Sequence, residues 1–231
     1  MLASFVSLIL LAAPDPLAAL GPVPAGTVRV YVIRHGQALS NLQPPPSVAP
    51  RGLDHLTPLG ERQSSRVGDI LAGKGVKLVV TSPAGRARES AEKIAAALGA
   101  APARVDARLR PLDLGHDAAG KQLDWDAREA EWKAGRDPSP PGGESMAQMG
   151  QRVLAVVKDL RTEAAGSSVA LVAHGEVIGS FVGELRGTPP AQRFPPRLAN
   201  ASLTVVEARP DGTVAVLLTN HVAPGMPSPA P

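Results

Sequence analysis

A chain of 231 residues with 44% apolar and 19% charged residues has enough apolar sequence to bury one full core, so a single globular domain is expected. A formal net charge of only +3, arginines scattered without a like-charge run and 3% aromatic residues speak against a nucleic-acid partner, which is usually met by clustered basic side chains or stacking platforms. With no cysteine in the chain, disulfides, thiolate metal sites and cysteine nucleophiles are excluded.

The first 28 residues carry one charged side chain, Asp15, and open with the apolar stretch Leu2 to Ala13. That stretch is too short to span a bilayer, so no stable membrane span is expected. It has the length of a secretory signal core and Val23-Pro24-Ala25 offers a cleavage pattern, although no Lys or Arg precedes it. Residues 1–26 therefore read as a signal peptide or as a disordered extension, with an exported protein, periplasmic or secreted, favoured over a cytoplasmic one.

The first strand is expected at Val28-Arg29-Val30-Tyr31-Val32-Ile33, whose β-branched run ends in Arg34-His35-Gly36. Thr57 is placed to cap a helix with Pro58 at its first position, and Leu59, Val67, Ile70 and Leu71 share one side of it before Gly73 and Gly75. Val76-Lys77-Leu78-Val79-Val80 reads as the next strand. Ser82 is expected to cap the helix that follows, with Pro83 in its first turn and Gly99 at its end. A long helix from about Ser145 to Ala165 carries Val153, Val156, Val157 and Leu160 on one stripe. Val169-Ala170-Leu171-Val172-Ala173 is a further buried strand, ending in His174-Gly175 and leading into a helix that closes near Gly187. Leu203-Thr204-Val205-Val206 and Thr213 to Leu218 flank Pro210-Asp211-Gly212, a hairpin signal. Pro-rich residues 223–231 read as a disordered tail, which leaves 27–222 as the folded domain. Alternating strands and helices predict an α/β fold: a single-domain three-layer sandwich with a mostly parallel central sheet and helices on both faces.

Two of the five histidines, His35 and His174, stand at predicted strand ends, each followed by a glycine. In an open α/β sheet ligands collect beyond the carboxyl ends of the strands, so both are placed for chemistry. Around them lie Gln37 and Asn41, then Leu56-Thr57-Pro58-Leu59-Gly60-Glu61-Arg62-Gln63, Thr81-Ser82-Pro83 with Arg86-Ala87 and Ser90-Ala91, Pro141-Gly142-Gly143-Glu144-Ser145, and Asn200-Ala201-Ser202. In this order the segments resemble those of the histidine phosphatase superfamily, the phosphoglycerate mutase-like group, in its branch with His-Gly at the second histidine. The resemblance covers about residues 28 to 206.

It implies a phosphomonoester hydrolase that works through a phosphohistidine on His35. A neutral imidazole can attack phosphorus and split one displacement into two. Arginine forks bind the charge spread over the equatorial oxygens bidentately, a part that fits Arg34 and Arg86. By resemblance, Asn41 and His174 complete the phosphate pocket, His174 also counting as catalytic. Cationic neighbours should hold His35 unprotonated, and neither a metal nor a cofactor is called for.

One part departs from the family. Relatives carry a glutamate in Leu-Arg-Glu-x-Asp-x-Gly, whereas this chain reads Leu109-Arg110-Pro111-Leu112-Asp113-Leu114-Gly115. Proline cannot transfer a proton. In an extended segment residue 113 shares a face with residue 111, so Asp113 is the candidate acid, ahead of His116 and Asp117. Each assignment has a plainer alternative: Asp113 can equally cap its own loop, Arg86 can be a solvated helix residue, and Trp125 and Trp132, seven apart on an expected helix, suit packing better than a ligand box. His55, His116 and His221 read as surface or structural.

Beside hydrolysis stand a phosphoglycerate-type mutase and a non-catalytic phosphate-ligand binder. Tyr31 is the sole tyrosine, so the tyrosine-containing acid segment of the sugar-phosphate mutases is missing. The expected partner is a small-molecule phosphomonoester or a phosphoprotein. Arg51, Arg128 and Arg136 are candidates to contact an acidic substrate, without support from their spacing, and nothing in the sequence sets an oligomeric state.

Overall fold

The computed structural model describes residues 15–193 and 198–228, so the apolar stretch Leu2 to Ala13 and the last three residues of the expected tail lie outside the described residues. Among those described, six strands form one sheet: β1 (Val28–Arg34), β2 (Val76–Thr81), β3 (Arg104–Val105), β4 (Ser168–Ala173), β5 (Leu203–Ala208) and β6 (Val214–His221). Their order is β3-β2-β4-β1-β5-β6. The first four run parallel, and β5 and β6 add an antiparallel hairpin at one edge.

The strand alternation sorts two apolar faces. Val28, Val30 and Val32 of β1 join Val169 and Leu171 of β4 on one side, while Tyr31 and Ile33 join Ala170 and Val172 on the other. Helices α1 (Pro58–Leu71) and α2 (Gly85–Leu98) cover the second face through Val67, Leu71, Ala91 and Ile94. On the first face lie α4 (Met146–Glu163) and α5 (Gly175–Leu185), which contribute Val153, Val157, Leu160 and Phe181. A short helix α3 (Trp125–Lys133) sits on the connection between β3 and α4. The three layers expected from the sequence are present. No helix among the described residues is long and apolar enough to cross a membrane.

Several local signals act as their chemistry requires. Thr57 accepts from the Gly60 N–H with Pro58 at the first helical position, and Ser145 and Gln148 form a reciprocal capping box at the start of α4. Gly99 ends α2 at φ +62°, a left-handed value that glycine adopts without steric cost. The start of α2 differs from expectation. Its N-cap is Ala84, so Pro83 lies before the helix, and the Ser82 hydroxyl is drawn away to a histidine described below.

Both ends of the folded domain extend further than composition suggested. Leu17 is buried among the apolar residues under α1, and the Lys74 ammonium donates to its carbonyl oxygen. The buried Arg29, paired with Glu207 at 2.6 Å, also donates to the carbonyl of Gly21 at 2.6 Å. A chain cut after Ala25 would vacate the Leu17 position and remove an acceptor from a buried cation. Within the expected tail, Ala223 is buried and the Pro227 carbonyl accepts from Gln63 Nε2, so residues 223–228 lie along the domain where a frayed tail was expected. Apolar contact and a satisfied carbonyl outweigh the lack of regular structure there.

Candidate active site

Three parallel strands end side by side, and the residue just past each belongs to one hydrogen-bonded group. Arg34 pairs with Ala173 across β1 and β4, and Thr81 pairs with Val172 across β2 and β4. The next residues, His35 and His174, therefore leave the sheet at the same level, with Ser82 one residue short of them. The ladder continues into them, since His35 N–H donates to the Ala173 carbonyl and Ser82 N–H to that of Val172.

Arg86, in the first turn of α2, links the two imidazoles. Its Nε–H donates to His35 Nε2 at 3.1 Å and its Nη2–H to His174 Nδ1 at 3.1 Å. An arginine can only donate, so both ring nitrogens are acceptors. On the far side of His35, Nδ1 lies 2.7 Å from the Gly36 carbonyl oxygen, which can only accept, so Nδ1 carries the proton. His174 is the opposite tautomer, with Nε2–H donating to the Ser82 hydroxyl at 2.8 Å. Both rings are thus set as neutral imidazoles, 5.2 Å apart between centroids.

Burial and charge maintain that state. His35 is held well below its ordinary pKa of 6.5 chiefly by desolvation, then by the Arg86 and Arg34 guanidiniums, with the Gly36 carbonyl opposing them. His174 is lowered in the same direction by burial first and then by His35 and Arg86. The folded-state pKa of each histidine is depressed, so protonation favours the unfolded chain. There is no cost above about pH 6.5, and a growing loss of stability is expected as pH falls below it. In an NMR titration the ring signals of both residues should stay in the neutral range from about pH 8 down to about pH 6, and a midpoint at or above the ordinary value for either would refute this electrostatic account.

The turn that carries His35 is rigid for steric reasons. A Cβ on Gly36 would lie 2.3 Å from the Gly60 carbonyl oxygen, and one on Gly60 would lie 2.0 Å from that of Gln37, so two glycines let this turn and the start of α1 interlock. Ser90 Oγ accepts from Gly36 N–H and donates to the carbonyl of Arg86, joining the nucleophile turn to α2. Asn200 donates to the His35 carbonyl and to Asn41 Oδ1, which also accepts from Ala38 N–H. Asn41 therefore enters the site partly as a support of the His35 backbone. Ala201, at φ +57°, donates to the carbonyls of both Arg34 and His35. Arg34 Nη1 donates to the Leu198 carbonyl, and the space beside Gly175 is filled by the Arg34 side chain.

Of the residues singled out in the sequence, His35, Arg34, Arg86, His174 and Asn41 meet here. Asp113 stands apart from this network among the described residues. It is exposed, and its carboxylate accepts from Gly115 N–H at 3.2 Å, the loop-capping arrangement. The buried carboxylate of the neighbourhood is Glu144, with Oε1 and Oε2 taken by Arg152 at 2.7 and 2.8 Å. Arg152 also donates to the carbonyls of Arg108, Arg110 and Pro111, so this pair fastens the loop before Asp113 to α4. Arg128, a candidate substrate contact, is instead 1% exposed, donates to the Pro138 and Glu144 carbonyls and stacks 5.2 Å from the Trp132 ring centroid. Arg136 is engaged by Glu131. Trp125 and Trp132 make the edge-to-face packing contact expected of them.

Four residues of the group carried no site assignment from sequence: Ser82, Ser90, Asn200 and Asp54. The first three lie inside the segments that carry the family resemblance. Asp54, at the end of a short 3-10 helix (Pro50–Asp54), bonds Arg86 Nη1 at 2.6 Å and caps the first N–H groups of α2 in place of Ser82. A cap of this kind contributes about 1 kcal/mol.

Comparison with known proteins agrees with the geometry. The family model described as histidine phosphatase superfamily (branch 1) matches residues 30–221. The probable phosphoglycerate mutase GpmB of Yersinia enterocolitica is 31% identical over 188 residues, covering 78% of this chain and 85% of its own. Its counterpart in Klebsiella pneumoniae is 33% identical over 186 residues, covering 78% and 85%. Among solved structures, a mycobacterial glucosyl-3-phosphoglycerate phosphatase in complex with VO3 superposes with a TM-score of 0.66 at 26% identity, over 84% of this chain and 99% of that one.

Proposed function

The chain belongs to branch 1 of the histidine phosphatase superfamily, and from that premise we propose that it hydrolyses phosphomonoesters through a phosphohistidine on His35. The observation that carries this reading is the tautomer of His35. With Nδ1–H committed to the Gly36 carbonyl, the lone pair of Nε2 points to the place where Arg86 presents two N–H groups. An incoming phosphoryl group would take over both N–H groups with two of its oxygens, an exchange that frees Nε2 to attack phosphorus. The N–P bond forms as the ester P–O bond breaks. Positive charge grows on the imidazole and is stabilised by the Nδ1–H bond to Gly36.

The leaving oxygen needs a proton, and in this reading it comes from solvent water, since both oxygens of Glu144 are held by Arg152 and the exposed Asp113 caps its own loop. Water then attacks phosphorus, the N–P bond breaks, inorganic phosphate leaves and the proton from the attacking water returns to solvent. Each half-reaction balances without another reactant.

The names of the relatives point to two acceptors, water for the phosphatase and a phosphoglycerate for the mutases. Hydrolysis suits this chain better, because a single tyrosine, buried Tyr31 of β1, excludes the tyrosine-containing acid segment. The test is a quench of enzyme mixed with labelled nitrophenyl phosphate in the presence of chelator. The label is expected in an acid-labile bond to His35, and to pass to water even when phosphoglycerate is in excess. A dominant transfer to phosphoglycerate would establish the mutase, and an unlabelled protein that turns substrate over would rule out the covalent route.

A further inference from the structure

The guanidinium of Arg86 is held at three corners, and only two of them face the imidazoles. Nε and Nη2 form the side-on edge of the group, the edge that matches two oxygens of a phosphate. The remaining nitrogen, Nη1, ends on Asp54 Oδ1 at 2.6 Å. Asp54 Oδ2 accepts from Gly85 N–H at 2.7 Å, so one carboxylate grips both the backbone and the side chain at the start of α2. The approach is close. A Cβ on Gly85 would lie 2.7 Å from the Asp54 carbonyl oxygen and 3.1 Å from Oδ2.

The loop that carries Asp54 is itself tied to α2. Glu89 Oε2 accepts from Leu56 N–H at 2.8 Å, and its other oxygen meets the His55 ring at 2.5 Å. The loop therefore reaches α2 at two points one turn apart, and Asp54 cannot shift without straining the second.

We propose that Asp54 is a positioning residue for phosphoryl transfer: it turns the Arg86 fork so that the Nε–Nη2 edge faces the gap between His35 and His174. The inference rests on the reading of Arg86 as the phosphoryl clamp. A lone arginine on a solvent-facing helix start samples several rotamers, and each misaligned one costs transition-state stabilisation more than ground-state attraction, since the charge remains nearby whichever way the fork points. Loss of Asp54 therefore acts on kcat before KM.

Asp54→Asn keeps an oxygen for Gly85 N–H and removes the charge that holds Nη1, so the helix cap and the fork are tested separately. For this variant kcat on nitrophenyl phosphate is expected to fall about tenfold while KM moves less than about threefold, with the melting temperature nearly unchanged. Asp54→Glu should recover part of the loss. The Arg86 Nε–H resonance, protected in the unmodified protein by its bond to His35, should broaden or vanish in Asp54→Asn. Gly85→Ala, which presses on Asp54 from the other side, should give the same kinetic signature and covers the case in which Asp54→Asn fails to fold. Unchanged kcat and an unchanged Arg86 signal in a folded Asp54→Asn would overturn the proposal and leave Asp54 as a helix cap alone. Should the unmodified protein turn over no phosphate ester, the proposed function fails, and the Arg86 resonance still decides the positioning.

Discussion

His35→Ala is expected to lower turnover of nitrophenyl phosphate by at least about 10³-fold, because no other group in the cluster can replace its lone pair. Arg86 donates only, and His174, fixed by its Nε2–H bond to Ser82, has its ring centroid 5.2 Å from that of His35 and does not occupy the place of the lost lone pair. The loss should be one of chemistry rather than folding. The turn around His35 is held by main-chain bonds to Ala173 and from Ala201, by Asn200 on its carbonyl and by Ser90 on Gly36 N–H, all of which survive the substitution. A melting temperature near that of the unmodified protein is the control. Activity within tenfold of the unmodified protein would end the phosphohistidine reading.

The second large effect is expected at Arg86. A lysine there carries its three donors on a single nitrogen, whereas the guanidinium reaches Asp54, His35 and His174 together from three separate nitrogens. Arg86→Lys should therefore weaken inhibition by vanadate or phosphate at least about tenfold, although net charge is conserved. The comparison separates geometry from charge. Unchanged vanadate inhibition would show that the site uses Arg86 only as a nearby cation, and the same result would remove the ground for an oriented fork. His35 should also titrate closer to its ordinary value if the ammonium settles on Asp54, since the Arg86 charge is one of the causes that lower it.

Much of this architecture is written in short stretches of chain. Continuous apolar β-rich runs marked β1 and β4 as strands buried on both faces, because a strand covered by helices on each side has no polar alternation to show. Thr57 with Pro58, and Gly99, were readable as helix ends because a cap acts on N–H or carbonyl groups within a few residues of itself. His35 and His174 were legible for the same kind of reason: a residue just past a parallel strand is at the ligand-bearing edge wherever that strand sits in the sheet.

Ser82 shows where that logic stops. Its local pattern is that of a cap, yet its hydroxyl serves His174, 92 residues away, and the helix start it leaves is capped by Asp54, 31 residues before Gly85. Asp113 is the converse, since a carboxylate placed by alternation for proton transfer has its oxygen on its own turn. The packing of residues 15–26 and 223–228 was not legible because irregular sequence says nothing of contacts with distant residues such as Lys74, Arg29 and Gln63. By itself the sequence determined the strands other than β3, several helix ends, the family and the residues His35, Arg34, Arg86, His174 and Asn41 that the structure brings together, because periodicity, capping and motif spacing act over a few neighbouring residues. Only the tertiary structure decided the order β3-β2-β4-β1-β5-β6, the tautomers of the two histidines and the anchoring of Arg86 by Asp54. Those depend on which groups the chain reversals bring within hydrogen-bonding distance, and pairings between residues tens of positions apart leave no local signature.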